Sequence, residues 1–445
     1  MKRERLTARM EKAFWVYLFC NPLLDIFNGF YINVIRGIAV YDARHLTSLG
    51  VTPSLVVRMV VLLAFCVYLL LVRERGAARL VLPIGAAFLL SLLSEYLFTG
   101  AVAFFTDLQY IAKFVFNLLV IPVYARVFSA EWDRGGRPFA ARLDTLLCVT
   151  AIILSVSILL PALFRVGYST YADRLGYRGW CGFFYAANDV TAVLVLLLPL
   201  TLGMAMRGGA ARAPALPVAA AALTANTLLV IGSKTAFLAF AASFALLLFY
   251  AAAASLKRRS AALWRGLGVS ALAAAAVFGL LMLLSGGALW ETIRVSLGVT
   301  GELAAREGAE IALLSGRGAK LRDHLAAFRS GGALVWLFGM GRGSRETVLE
   351  MDVPEVLFYY GVFGLGAMLW FYVRMALEFL RDLFRRCDVT AFAAFTALAL
   401  VFGYLLVAGH VLFTVTSGFY FSLTILCARA HFAAKRRDML LWKKN

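Results

Sequence analysis

Long uninterrupted apolar runs are the feature of this sequence that most limits what the chain can fold into. A bilayer-spanning helix needs about 20 mostly apolar residues, and runs of this length recur from end to end of the 445 residues. Backbone groups in hydrocarbon must find hydrogen-bond partners within helices or closed barrels. Barrel strands alternate polar and apolar residues, whereas these runs are apolar throughout. The sequence therefore predicts an all-α polytopic membrane protein.

The apolar runs predict about twelve transmembrane helices in a single membrane domain that covers residues 1–445. The first run is too long for a signal-peptide core and lacks a cleavage signature at its end, so we expect it to be retained. The predicted helices lie at 13–35, 52–72, 80–98, 108–128, 143–164, 187–206, 214–231, 234–256, 267–286, 355–377, 389–408 and 410–430.

The charge distribution predicts the orientation of these helices. The formal net charge is +19, which on a soluble protein would suggest a nucleic-acid partner. Here most of the lysines and arginines fall in alternate connecting segments, the pattern that the positive-inside rule assigns to the cytoplasm. The sequence thus predicts a multi-pass protein of the cytoplasmic (inner) membrane with both termini cytoplasmic, the lipid bilayer as its surroundings and no nucleic-acid partner.

Two predicted outer segments are long enough to carry function: a medium loop at 165–186 and a large extracytoplasmic loop at 287–354. In the large loop we predict an amphipathic helix with Ser315 as its N-cap. Its apolar stripe, with Leu321 and Phe328, is flanked by Arg317 and His324 on one edge. Such a helix could lie on the membrane and bind a lipid-carried phosphate, or its arginines could merely snorkel.

Two carboxylates, Glu350 and Asp352, follow a glycine-rich turn just before the tenth predicted helix. Either could act as a general base on a sugar hydroxyl if it is partly buried. The alternative is that both are loop anions paired with Arg342 and Arg345.

Further polar and aromatic residues are candidates for a substrate site, each with an ordinary alternative. Trp180 could stack on a sugar or belong to an interfacial aromatic belt, and Asn188 could bind substrate or act as an N-cap. Lys234 could bind phosphate or snorkel, and His410 could face a polar chamber or cap a turn. Polar residues inside the helices, such as Glu95 and Lys113, usually face a cavity or each other, and these two could form an ion pair.

Cysteine and histidine give no sign of a metal site in the sequence. The six cysteines and four histidines are scattered, and no cysteine pair has the spacing of a zinc-binding motif. We therefore expect no metal.

Several short motifs occur in an order that resembles the O-antigen ligase and O-antigen polymerase family. The resemblance covers roughly residues 165–420 by motif and the whole chain by predicted topology. The motifs are Arg178-Gly179, Phe184-x-x-x-Asn188, Gly232-Ser233-Lys234-Thr235, Ser315-Gly316-Arg317, Gly339-x-Gly341, Glu350-x-Asp352, Tyr360-Gly361-x-x-Gly364 and Gly409-His410.

The resemblance implies a metal-independent, cofactor-free glycosyltransferase of the polytopic GT-C type. Such an enzyme takes a glycan from an undecaprenyl diphosphate carrier and joins it to an acceptor glycan or glycolipid at the outer face of the membrane. The resemblance implies that the diphosphate is bound by Arg178, Lys234 and Arg317, and we expect Glu350 or Asp352 to be the catalytic base that takes the proton from the attacking hydroxyl. Supporting contacts to glycan or acceptor would come from Asn188, His324, Arg342, His410 and Trp180.

The family pattern also leaves alternatives. Ligases of the family typically carry a histidine in the long loop before the tenth helix, where this chain has Glu350-Met351-Asp352. This difference favours a polymerase, or a ligase with another acceptor, and a chain-length regulator is a possible partner. A transporter or a flippase of lipid-linked oligosaccharide is a competing class, but such proteins tend to contain internal repeats, which we do not find. A cell-wall polymerase of the shape-and-division type is a third alternative.

Overall fold

A computed structural model describes most of the chain. The described residues are 2–35, 37, 52–133, 139–173, 176–184, 186–207, 214–256, 261–345, 347–386 and 388–434.

The described chain is a helical bundle in which each of the twelve predicted runs overlaps a helix. The first five helices are α1 (Lys2–Phe30, continued by a π-helix at Tyr31–Ile35), α2 (Pro53–Leu71), α3 (Arg75–Thr99), α4 (Phe104–Asp133) and α5 (Phe139–Phe164). Two strands follow, β1 (Tyr168–Asp173) and β2 (Gly176–Gly182), and then α6 (Ala187–Met206), α7 (Ala215–Ile231), α8 (Lys234–Ser255) and α9 (Ala261–Leu284). The large loop contains α10 (Ala288–Glu307), α11 (Ala309–Leu314), α12 (Arg317–Ser330) and α13 (Gly332–Phe338). The chain then forms α14 (Asp352–Arg386), α15 (Val389–Val407) and α16 (Val415–Ala434).

The structure confirms the all-α polytopic membrane fold, while the number of spans stays a prediction. Nine helices among the described residues are long and apolar enough to cross a bilayer, judged by length and composition alone. They are α2–α6, α8, α9, α14 and α15. A tenth, α7, is apolar but has 17 residues.

Helix α16 is less apolar because it lies inside the bundle. Ser417, Ser422 and Thr424 on this helix are all fully buried, and the Ser422 hydroxyl donates a hydrogen bond to the Asn117 carbonyl on α4 (2.6 Å). Helix α6 is also central, since it is buried continuously from Val190 to Met206. A helix that is apolar on all sides is expected in the interior of a protein. A helix that is surrounded by other helices does not face lipid, so its surface need not be uniformly apolar.

The medium loop forms an antiparallel β-hairpin that the sequence did not predict. Strand β1 pairs with β2, with Tyr171 opposite Arg178 and Ser169 opposite Trp180. The backbone of Gly179 lies against the Ile231 carbonyl at the end of α7, and Gly232 lies against Ser296 of α10. The hairpin, the turn between α7 and α8 and the large loop therefore meet at one end of the bundle.

Helix α14 is interrupted at Gly361, whose φ of 67° and ψ of −171° are not helical. The break frees the carbonyls of Phe358 and Tyr359, which accept hydrogen bonds from the amides of Met340 (2.9 Å) and Gly341 (3.1 Å). Unpaired backbone groups at membrane depth must be satisfied by neighbouring protein. The glycine-rich turn is thus anchored to the broken helix.

Three local predictions were wrong. Ser315 does not cap α12: it ends α11 with a φ of 54°, and Gly316 occupies the N-cap position without a side-chain hydrogen bond. The apolar stripe of α12 packs on protein instead of lipid, since the Phe328 ring lies 5.3 Å from that of Phe358. The last helix begins at Val415 instead of 410, because the amides of residues 410–412 bond to Asp352.

The close approach at Gly179 gives a stability prediction. A Cβ at this position would lie 2.0 Å from the Ile231 carbonyl oxygen, and the φ of +65° is itself unfavourable for other residues. We expect Gly179→Ala to destabilise the fold by about 2–4 kcal/mol and to lower the thermal unfolding midpoint in detergent. The control is Gly301→Ala, where a Cβ meets nothing within 4 Å. Equal midpoints for the two variants would contradict the described packing.

Candidate active site

Glu350 lies between two cations of helix α12. Its carboxylate accepts a hydrogen bond from Arg317 Nη2 (2.8 Å) and one from Lys320 Nζ (3.4 Å). Arg317 and Lys320 are three residues apart and therefore lie on the same helix face. The two cations hold the pKa of the Glu350 carboxyl below its usual value of 4.5, against the opposing effect of burial. Glu350 is thus an ionised carboxylate that contacts two cationic side chains.

The backbone conformation at Glu350 is unusual for a residue with a side chain. Its φ is +63°, and its amide donates a hydrogen bond to Glu355 Oε1 (2.8 Å). The other Glu355 oxygen accepts a hydrogen bond from the Tyr110 hydroxyl of α4. Strained conformations of this kind persist only where the surroundings hold them, and they cluster at functional sites. The contacts of Glu355 thus fix where Glu350 presents its carboxylate.

Asp352 differs from Glu350 in its surroundings. It is fully buried, and its carboxylate accepts hydrogen bonds from the amides of His410 (3.1 Å), Val411 (2.7 Å) and Leu412 (3.1 Å). The Glu350 side chain, by contrast, is 31% exposed. Asp352 therefore anchors the turn between α15 and α16, and Glu350 is the carboxylate that a substrate can reach.

The role of Asp352 gives a second stability prediction. Asp352→Ala would leave three buried amides without an acceptor, at about 1–3 kcal/mol for each. We expect a clear fall in the thermal unfolding midpoint, while Asp323→Ala, which removes an exposed aspartate of α12, leaves the midpoint unchanged. A midpoint for Asp352→Ala equal to that of the control would show that the anchor is not needed.

His410 lies in the anchored turn, close to Glu350. Its φ is +63°, and its carbonyl accepts hydrogen bonds from the hydroxyls of Thr414 and Ser417. Burial lowers the pKa of His410, and the nearby charges of Lys113 and Arg317 add to this, although Glu355 and Glu350 oppose it. Burial therefore favours the neutral form of the imidazole.

Arg178, Lys234 and Arg317 are linked through intermediate residues. The Arg178 guanidinium lies over the Tyr171 ring at 4.8 Å, and Tyr171 and Arg317 both interact electrostatically with Tyr404. Lys234 Nζ donates a hydrogen bond to Ser315 Oγ (3.4 Å), two residues before Arg317. Lys234 thus lies near the start of the helix that carries Arg317, and Arg317 is the one of these three cations that contacts Glu350.

Asn188 contributes through its backbone, since its carbonyl accepts a hydrogen bond from the Tyr404 hydroxyl (2.9 Å). The N-cap of α6 is Ala186, so Asn188 does not have the capping role that was its alternative.

Trp180 and Arg178 line a recess of about 600 Å³ between the hairpin and the start of α10. Its other polar lining residues include Arg165, Ser285 and Glu291. The recess offers an aromatic ring together with charged groups, a combination suited to sugars. The suggested stacking role of Trp180 stays a prediction.

The side chains of His324 and Arg342 contact other groups of the protein. His324 Nδ1 donates to the Lys320 carbonyl (2.8 Å), and Nε2 lies 3.1 Å from the Tyr359 hydroxyl. The Arg342 guanidinium lies over the rings of Tyr110 and Tyr359 at 5.7 and 5.6 Å. The alternative in which Glu350 pairs with Arg342 and Arg345 is wrong, because Arg317 and Lys320 take that position.

Sequence reasoning missed Lys320, Glu355 and Tyr110. A signal was available for two of them: Lys320 follows Arg317 at helical spacing, and Glu355 is an acid within an apolar run, where acids are costly and usually functional. The suggested Glu95–Lys113 pair is also wrong, since Glu95 lies beside Asp107 and Lys113 interacts electrostatically with Asp189.

Asp352, Glu355 and His410 could in principle hold a cation, because one ligand atom from each lies within 4.8 Å of the others. Their oxygens are already used, however, by backbone amides and by the Tyr110 hydroxyl. The group therefore fits a hydrogen-bonded network better than a metal centre.

Fold and site together define a polytopic helical membrane protein with a cationic, carboxylate-containing site at one end of the bundle. A model of the family described as O-antigen ligase like membrane protein matches residues 8–302, and the chain belongs to this family. No curated protein shows a significant match. The match includes Arg178, Asn188 and Lys234, whereas Arg317, Glu350 and His410 lie beyond it. Membership confirms the predicted family and supports a membrane glycan ligase or polymerase role on lipid-linked glycans.

Proposed function

We propose that this protein is a glycosyltransferase that polymerises or ligates undecaprenyl-diphosphate-linked glycan at the outer face of the cytoplasmic membrane. The observation that carries the proposal is the partly exposed Glu350 carboxylate, held between Arg317 and Lys320, with Lys234 hydrogen-bonded to Ser315, two residues before Arg317. A base beside a cluster of cations is what transfer from a diphosphate requires.

The transfer is a direct displacement in this proposal. The oxygen of an acceptor hydroxyl attacks the anomeric carbon, the bond from that carbon to the diphosphate oxygen breaks, and the lipid diphosphate leaves. Glu350 takes the hydroxyl proton, and the configuration at the anomeric carbon inverts. Arg178, Lys234 and Arg317 neutralise the charge that develops on the leaving group, so we propose that the step needs no metal ion.

Arg317 links substrate binding to the basicity of Glu350. Without substrate, the guanidinium pairs with Glu350 and lowers its pKa. A bound diphosphate competes for the same guanidinium, because bidentate contacts to phosphate oxygens are strong. Once Arg317 turns to the diphosphate, the Glu350 carboxylate becomes a stronger base. The carboxylate is thus activated only when the donor is in place.

Reconstitution tests the proposal against its alternatives. The full-length protein in liposomes, given lipid-linked glycan, should release lipid diphosphate and form longer lipid-linked glycan if it is a polymerase. It should glycosylate an added glycolipid or glycan acceptor if it is a ligase. Movement of intact lipid-linked glycan across the bilayer without a new glycosidic bond would establish a flippase instead. Addition of a chain-length regulator would alter only the product length.

The pH dependence of the transfer distinguishes Glu350 from His410 as the base. Because the Glu350 pKa lies below 4.5 in the free protein, the active ionised form persists as the pH falls. We expect kcat/KM, which reports the free enzyme, to stay constant from about pH 7 to about pH 5. A decline with an apparent pKa near about 6 would instead indicate a histidine base.

A further inference from the structure

The recess beside the hairpin is large enough to bind a ligand of its own. Its walls come from three parts of the chain: the end of α5, strand β2, and the segment that joins α9 to α10 together with the start of α10. Its volume of about 600 Å³ lies within the range of small-molecule sites, about 300–1,000 Å³. Neither Glu350 nor Arg317 lines it, so the recess is separate from the site of the transfer step.

The recess lies next to the turn that carries Lys234. Trp180 lines the recess, and the backbone of the preceding Gly179 lies against the carbonyl of Ile231. Ile231 is three residues before Lys234, so their Cα atoms are no more than about 11 Å apart. Lys234 in turn donates a hydrogen bond to Ser315 (3.4 Å). Sugars of a glycan whose diphosphate lies at Lys234 are therefore within reach of the recess.

Three polar groups of the recess have hydrogen-bonding capacity left for a ligand. Within the part of the chain that the structure describes, neither the Arg165 guanidinium nor the Trp180 indole N–H has a hydrogen-bond or ion-pair partner. The Thr292 hydroxyl donates its proton to the Ala288 carbonyl (3.1 Å), and its lone pairs can still accept one from a sugar hydroxyl. The half-buried Trp180 ring adds an apolar face. These are the groups that a sugar ring needs.

The charges of the recess favour an anionic ligand. Among its described lining residues, the two arginines Arg165 and Arg178 outnumber the one acid, Glu291. Glu291 Oε2 lies 3.8 Å from the Nε of Arg294, which is outside the lining, and both side chains are largely exposed. Arg178 lies over the Tyr171 ring, whereas Arg165 is exposed. An anionic group that enters the recess can therefore pair with Arg165.

We propose that this recess binds a carboxylate-bearing sugar, a uronic acid, of the glycan that is transferred. Arg165 binds the carboxylate in bidentate form, the Trp180 ring covers one face of the sugar, and Thr292 accepts a hydrogen bond from a hydroxyl. The inference rests on the proposed function, because it assigns this sugar to the glycan whose diphosphate lies at Lys234. The recess thus selects acidic glycans over neutral ones.

The backbone at Arg165 provides a variant that keeps the fold. Arg165 follows the end of α5 with a φ of 56°, and Arg73 follows the end of α2 with a φ of 55°. In both places the amide of the next residue donates a hydrogen bond to the carbonyl five residues before it (2.9 Å), a helix ending that favours glycine. Arg165→Gly therefore removes the guanidinium without strain. Arg73→Gly makes the same change away from the recess and is the matched control.

The test measures binding of soluble oligosaccharides to the full-length protein in detergent by calorimetry, without any lipid-linked donor. The panel contains oligosaccharides with glucuronic or galacturonic acid, each beside its carboxyl-reduced, neutral form. We expect the acidic forms to bind about tenfold or more tightly than the neutral forms. Arg165→Gly should abolish this difference, and Arg73→Gly should keep it. Added salt should weaken binding of the acidic forms to the unaltered protein, because the contact is an ion pair at the surface.

Three results would overturn the inference: no binding of any acidic oligosaccharide at millimolar concentration, equal affinity for acidic and carboxyl-reduced forms, or equal affinities of the two glycine variants. Thermal unfolding midpoints check that both variants are folded. Because the binding measurement contains no donor, it is independent of transfer. Loss of binding with transfer intact would contradict the recess alone, whereas binding without any transfer would contradict the proposed function.

Discussion

Replacing Glu350 by glutamine is expected to slow glycan transfer by about 10²–10⁴-fold, the usual contribution of a positioned general base. Glutamine has the same size and can still accept a hydrogen bond from Arg317, so the fold should be retained. The amide cannot take the proton from the acceptor hydroxyl, however. We expect kcat to fall while KM for the lipid-linked donor stays the same or decreases, because Arg317 no longer has a competing carboxylate.

The matched control is Glu310→Gln in the same loop. Glu310 also forms an ion pair with an arginine, Arg322 (2.5 Å), but both side chains are largely exposed. Such a pair contributes little, so the control should keep full activity. If Glu350→Gln and Glu310→Gln transfer glycan at equal rates, Glu350 is not the base. If activity falls only through a higher donor KM, Glu350 positions substrate without taking a proton.

The helices were predictable because their signal is local. The run 187–206 contains 20 residues, most of them apolar, and helix formation in hydrocarbon follows from the chain's own hydrogen bonds. A predicted helix boundary was wrong where a residue distant in sequence bonds to the backbone. The Asp352 carboxylate accepts hydrogen bonds from the amides of residues 410–412, and α16 begins later for that reason. The hairpin at 168–182 depends on packing against Ile231 and Ser157, which no local pattern reveals.

The residue types of the site could be predicted from the sequence, but the contacts between these residues could not. Arginines and carboxylates in the large loop at 287–354 were recognisable candidates, and Glu350 and Arg317 were among them. Their ion pair joins residues 33 positions apart, so the choice between Arg317 and Arg342 as the partner of Glu350 required the fold. The difference between Glu350 and Asp352 is likewise one of burial, and only tertiary structure decides which of two adjacent carboxylates is enclosed.

Replacing Arg317 by alanine is expected to reduce kcat/KM by about 10²–10³-fold, the loss typical of a group that stabilises charge in the transition state. The variant removes a cation from the leaving diphosphate, so KM for the donor should also rise. Arg317→Lys should recover part of the activity, because lysine keeps the charge without the bidentate geometry. Arg322→Ala is the control, since this arginine of the same helix is exposed.

The Arg317→Ala variant also tests the coupling between Arg317 and Glu350. Arg317 is the largest of the effects that lower the Glu350 pKa, so its removal should raise that pKa. The acid limb of kcat/KM should therefore move to higher pH in Arg317→Ala but not in Arg322→Ala. If Arg317→Ala slows the transfer but the pH at which kcat/KM declines does not change, Arg317 binds the diphosphate and does not affect the Glu350 pKa. If Arg317→Ala is as active as Arg322→Ala, Arg317 does not belong to the site, because a cation that contacts the leaving group cannot be lost without slowing the transfer.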